Sequence, residues 1–149
     1  MRQPGQRITV AKADSSSASA IARLMKQLVF ETSGGSPVAT GYVRKYLRTS
    51  GCHVLLARQS GEVLGMISFS LRPGLYHAAR SCVIEDLIVD RGWRNKGIGS
   101  RLLAEVIRTA RRRKCAEISV TTETTNKAAA RFYRRHGLVD ESIFLEKHL

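Results

Sequence analysis

Apolar positions recur along this 149-residue chain with two different periods, and the switches between them divide it into elements. Ile8-Thr9-Val10-Ala11-Lys12-Ala13 alternates weakly and predicts a first strand. Asp14 then offers an N-cap to a segment in which Ile21, Leu24, Met25 and Leu28 share one helical face. Ser33-Gly34-Gly35-Ser36-Pro37 interrupts this pattern as a candidate mobile loop, after which Val38, Tyr42, Val43, Tyr46 and Leu47 resume helical spacing. The apolar runs His53 to Ala57 and Val63 to Phe69, joined through Ser60-Gly61, predict a β-hairpin. A turn at Pro73-Gly74 leads into Cys82 to Val89, an apolar strand carrying two adjacent carboxylates, Glu85 and Asp86.

The clearest amphipathic helix begins at Ile98. Its stripe of Ile98, Leu102, Leu103, Val106, Ile107 and Ala110 lies opposite Arg101, Glu105, Arg108 and Arg112. A β-branched strand, Ile118 to Thr122, is followed by a helix from Asn126 to His136 with Gly137 as its C′ residue, and Ser142 to Glu146 reads as a last strand. The order is mixed α/β without an internal repeat, and the length suits a single domain over residues 1–149.

Charge and cysteine usage narrow the classes. The formal net charge is +13, and residues 91–114 hold nine Lys or Arg against Glu105 alone. Such a field attracts anions, whether cofactor phosphates, nucleic acid or an acidic surface. Aromatic content is only 6%, and no stacking platform or zinc framework accompanies the Arg108 to Lys114 run, so nucleic acid is the weaker expectation. Cys52, Cys82 and Cys115 are far apart and odd in number, which argues for packing roles rather than a disulfide framework or metal site. His53, His77, His136 and His148 show no metal-ligand spacing. Without a signal-like N-terminal segment or any run of ~18 apolar residues, the chain is expected to be cytoplasmic, with no membrane contact.

The segment Arg94-Asn95-Lys96-Gly97-Ile98-Gly99 opens the amphipathic helix, where free N–H groups and a partial positive charge meet an anion. It is not a P-loop, since Ile98 and Gly99 stand where Lys and Ser/Thr are needed, and not a dinucleotide fingerprint, since Leu102 replaces the third small residue. Ile84-Glu85-Asp86-Leu87-Ile88-Val89, followed by this loop and then by Asn126-Lys127-Ala128-Ala129-Ala130-Arg131-Phe132-Tyr133-Arg134-Arg135-His136-Gly137-Leu138, closely resembles the two signature blocks of the GNAT superfamily of N-acetyltransferases. Asn95 departs from the glycine that members often carry.

The resemblance implies a mostly antiparallel central sheet of six to seven strands flanked by about four helices, and direct transfer of the acetyl group of acetyl-CoA to a primary amine in a ternary complex. It places acetyl-CoA against Leu87, Ile88, Val89, Arg94, Asn95, Lys96, Gly97, Ile98, Gly99, Ser100, Asn126, Ala129 and Tyr133. Glu85 would accept the amine's proton, directly or through water, backbone N–H groups around Leu87 to Val89 would stabilise the developing oxyanion, and Tyr133 would protonate the departing thiolate. No metal and no nucleophilic cysteine are required. Because side chains alternate along a strand, only one of Glu85 and Asp86 is expected to face the acetyl group. Arg72, Tyr76 and His77, in the segment before that strand, are candidates for the acceptor pocket.

The acceptor is a small-molecule or protein amine, and a homodimer is expected. The +13 charge disfavours polyamines and aminoglycosides unless the pocket is locally acidic; an amine that also carries a carboxylate or phosphate, as in amino-sugar phosphates, suits it better. The alternative is a basic nucleic-acid-binding or CoA-sensing module without catalysis.

Overall fold

The computed structural model describes residues 7–32 and 37–149. The Ser33 to Ser36 part of the candidate mobile loop lies outside them. Five strands, β1 (Thr9–Lys12), β2 (Cys52–Gln59), β3 (Glu62–Gly74), β4 (Ala79–Val89) and β5 (Glu117–Val120), form one sheet in sequence order. Pairing is antiparallel from β1 to β4, and β5 joins β4 in parallel. Helices α1 (Ala18–Thr32), α2 (Thr40–Arg48), α3 (Ile98–Arg112) and α4 (Lys127–Arg135) complete the order. No helix among the described residues is long and apolar enough to cross a membrane.

The sheet is covered on both faces, which is why β2 and β3 read as nearly continuous apolar runs. Leu55, Ala57, Ile67 and Phe69 pack with Leu102, Leu103 and Val106 of α3, while Val54, Leu56 and Met66 pack with Ile21 and Leu24 of α1 and Val43 of α2. Each large side chain removed from water in this way contributes roughly 1.5–3 kcal/mol. The β2–β3 turn places both Ser60 (φ 52°) and Gly61 (φ 80°) in the left-handed region, the type I′ geometry whose twist suits a hairpin. Asp14 caps a single 3-10 turn, Ser15–Ser17, that leads into α1.

Two expectations from the pattern are corrected. The turn is not at Pro73-Gly74: β3 runs through both, Gly74 pairs with Ala79, and the chain reverses at residues 75–78. Proline is tolerated there because β2 pairs with β3 only as far as Ser70, leaving one edge of β3 without a strand neighbour at Pro73. The predicted strand Ser142 to Glu146 is not formed either, so the sheet has five strands rather than six to seven. Alternation supplies an apolar face but no backbone partner. Ile143 and Leu145 are each 87% exposed, and the chain before them is tied to α4 by Arg134 and Asp140 at 2.8 Å.

Candidate active site

Strand β5 pairs with β4 only from Ser81 to Ile84. Beyond that point β4 keeps β3 on one side and has, among the described residues, no strand on the other, so a cleft of about 870 Å³ opens along Leu87, Ile88 and Val89. Its other walls are the loop before α3, the first turn of α3, and Asn126, Ala129 and Tyr133 at α4. Of the residues expected to meet acetyl-CoA, Lys96 alone does not line this cleft; its ammonium sits 4.7 Å from the centroid of the Trp93 ring.

The loop is shaped for an anion by its backbone. Gly97 is the N-cap of α3 with φ 78°, a conformation that costs an L-residue roughly 1–2 kcal/mol, and it has no side chain to cap the helix. Arg101 is the first residue of α3 to bond back, to the Gly97 carbonyl, so the N–H groups of Ile98, Gly99 and Ser100 point out of the helix end. No acidic residue stands in the first turn to neutralise it. Asn95 also has positive φ, 59°, a conformation that asparagine adopts more readily than most residues with a Cβ. Arg94 is held by donation from Nε to the Val89 carbonyl at 2.9 Å. Across the cleft the Asn126 side chain accepts from Ala129 N at 3.1 Å and so caps α4.

Tyr133 is 8% exposed and belongs to the core as well as the cleft. Burial, and then the charge of Asp86, push its hydroxyl up to about 12. It therefore holds its proton at neutral pH, as an acid must.

Glu85 and Asp86 do not alternate. The β3–β4 register passes from Ser68 opposite Asp86 to Phe69 opposite Ile84, leaving Glu85 as the extra residue of a bulge. Ile84 and Leu87 both pack on the α3 side, and the two carboxylates between them face the other way. Ser68 donates to Asp86 Oδ2 at 2.6 Å and Ser70 to Glu85 Oε1 at 3.0 Å; the serines, two apart on β3, share one face. Both carboxylates thus lie on the α2 side, contrary to the expectation that only one could. Tyr46 of α2 completes this corner within hydrogen-bonding reach of Ser68, its hydroxyl pushed up by burial, then by Cys52, Glu85 and Asp86. Helical spacing had placed Tyr46 among packing residues, and nothing in the sequence distinguished it from Tyr42.

Tyr76 and His77 are at the far end of the β3–β4 hairpin, six strand positions or ~20 Å from the bulge. Tyr76 is 94% exposed, and His77 Nε2 lies 3.5 Å from Glu117 on β5. Among the described residues no cluster of His, Cys, Asp and Glu could hold a metal ion. Cys82 is buried, and burial, followed by the neighbouring Cys115, pushes its thiol up to about 12.

Residues 21–138 match the model of the acetyltransferase (GNAT) family. The chain belongs to that family. It is 38% identical to the aminoalkylphosphonate N-acetyltransferase of Salmonella typhimurium over 85 residues, 57% of this chain and 55% of that protein. The chain thus spans about half the length of the curated relatives it matches. Among solved structures, an aminoglycoside acetyltransferase from an uncultured soil metagenomic sample, in complex with trehalose, superposes with a TM-score of 0.81 at 19% identity, over 95% of each chain. AAC(6')-Iy in complex with the bisubstrate analog CoA-S-monomethyl-acetylneamine gives a TM-score of 0.79 at 19% identity, over 96% of this chain and 99% of that one. At these identities the likeness is one of fold.

Proposed function

We propose that this GNAT chain transfers the acetyl group of acetyl-CoA directly to a primary amine. The observation that carries the reading is the meeting, in one cleft, of an uncapped α3 N-terminus with an unpaired edge of β4. The first suits a pyrophosphate and the second an extended amide-bearing arm. Arg94, Asn95 and the Gly97 to Ser100 backbone hold the phosphates, with Lys96 adding charge from above Trp93, and Asn126 and Ala129 line the arm.

Glu85 accepts a proton from the bound ammonium, freeing the lone pair that attacks the thioester carbon. The N–C bond forms as the C–S bond breaks, backbone N–H groups from Leu87 to Val89 stabilise charge on the carbonyl oxygen, and Tyr133 protonates the thiolate. The nitrogen loses two protons in all and sulfur gains one, so each turnover releases one proton to solvent.

The Salmonella relative's name puts aminoalkylphosphonates first among acceptors to try, and a phosphonate suits a chain of charge +13. Calorimetric titration with acetyl-CoA, beside a duplex DNA control, is expected to give saturable binding of the cofactor. Thiol release with aminomethylphosphonate, glycine, ethanolamine, spermidine and an aminoglycoside then identifies the acceptor class. A chain that binds DNA and not acetyl-CoA at moderate salt would overturn the reading.

A further inference from the structure

Neither Glu85 nor Asp86 is among the residues that line the cleft; the Glu85 bulge sets them next to Leu87, where that lining starts on β4. It places the two side by side on one face, each restrained by a different serine of β3. They differ in setting. Glu85 is exposed on the α2 side, whereas Asp86 is partly buried and one residue nearer to Leu87, where the cleft begins. The charge of Asp86 also contributes, after burial, to raising the Tyr133 hydroxyl. Leu87, the next residue on β4, lines the cleft, so the Asp86 carboxylate adjoins the groove in which a thioester along β4 would meet an acceptor nitrogen.

We propose that Asp86 is a specificity-determining residue of the acceptor site: clamped by Ser68, it receives the acceptor as an ammonium ion and aims its nitrogen along β4, while Glu85 beside it takes the proton. The inference rests on the acetyl-transfer reading above. The two carboxylates divide the labour. Asp86, partly buried and held by the shorter serine bond (2.6 Å against 3.0 Å), is the better placed to orient a cation; Glu85, exposed and on a longer side chain, has more freedom to take a proton. The pair offers a cation two adjacent carboxylates on a chain whose formal net charge is +13. Acceptors bound in their protonated form are therefore expected, and amines that are neutral at the working pH are expected to be poor.

The test is steady-state kinetics of Asp86→Asn with the amine that releases thiol fastest in the panel above. The asparagine keeps an oxygen for Ser68 but removes the charge. Expected are an acceptor KM raised by about tenfold or more, a kcat within about threefold of the unaltered chain, and an unchanged acetyl-CoA Kd by calorimetry. Ser68→Ala, which frees the carboxylate without neutralising it, is expected to raise KM by less. Glu85→Gln should show the opposite split, with kcat falling and KM little changed. An Asp86→Asn variant that binds acetyl-CoA normally and keeps its acceptor KM would overturn the inference while leaving acetyl transfer intact. If no amine in the panel is acetylated by the unaltered chain, the functional reading fails and takes this inference with it.

Discussion

A Cβ built on Gly99 would meet the ring of Phe132 at 3.6 Å, an ordinary van der Waals distance, so this glycine faces the α4 helix across a space that a methyl group can enter. Gly97, two residues earlier, has nothing within 4 Å of such a Cβ but carries φ 78°. The two glycines of the motif thus answer to different constraints. Gly97→Ala is expected to cost roughly 1–2 kcal/mol in urea unfolding and to weaken acetyl-CoA binding as the loop shifts. Gly99→Ala is expected to fold with little loss. Equal effects of the two substitutions would contradict this division.

Arg94 lines the cleft, whereas Arg111, Arg113 and Lys114 lie at the opposite end of α3, ~20 Å along a helix of this length. Arg94→Ala is expected to raise the acetyl-CoA Kd by about tenfold or more and to flatten its dependence on salt. Arg111→Ala should leave both unchanged. Calorimetric titrations at two ionic strengths check the pair.

Tyr133→Phe removes the proposed proton donor while keeping the ring that packs against Phe132 at 5.2 Å between centroids. A fall in kcat of about 10- to 100-fold is expected, with the acetyl-CoA Kd little changed. If kcat is retained in full, Tyr133 is only an anchor of the core.

Alkaline pH tests the buried groups. Cys82 is raised from 9.0 to about 12 and Tyr133 from 10.0 to about 12, each chiefly by burial. The folded chain therefore holds these protons more tightly than the unfolded one. Their contribution is fully present below about pH 9 and is lost as pH rises toward 12. The urea midpoint should fall between about pH 7.5 and about pH 10.5, a window that brackets the unfolded thiol's titration at ~8.5. Cys82→Ala should reduce that fall.

Leu102 is fully buried under the sheet, on the helix whose first turn faces the cleft. Leu102→Ala is expected to destabilise the chain by about 2–5 kcal/mol in urea titration. Acetyl-CoA at saturating concentration should recover part of the loss, because it binds the folded state.

Much of this architecture is legible from spacing. The stripe Ile98 to Ala110 and the paired runs of β2 and β3 are written as periods, since burial on one face or two leaves a direct trace in the order of apolar residues. The loop and the Asn126 block are legible because backbone conformation there depends on particular residue types. What periodicity does not record is a slip of register. The Glu85 bulge shifts one residue against its partner strand, and an Ile-Glu-Asp-Leu run looks the same with or without it. Hence the pleat gave the wrong relation between the two carboxylates, and Ser68, Ser70 and Tyr46 passed as ordinary strand and helix positions. The Ser142 to Glu146 segment shows the converse, a strand-like period with no edge to complete it.

The sheet that separates the two packed layers also separates two kinds of evolutionary freedom. On the proposed reading, substitutions on α2 and around the carboxylate pair would change what the acceptor meets, while α3 and its loop stay seated on the opposite face with their own set of contacts. A lineage built on this plan can exchange one amine for another without relearning how to hold its acetyl donor.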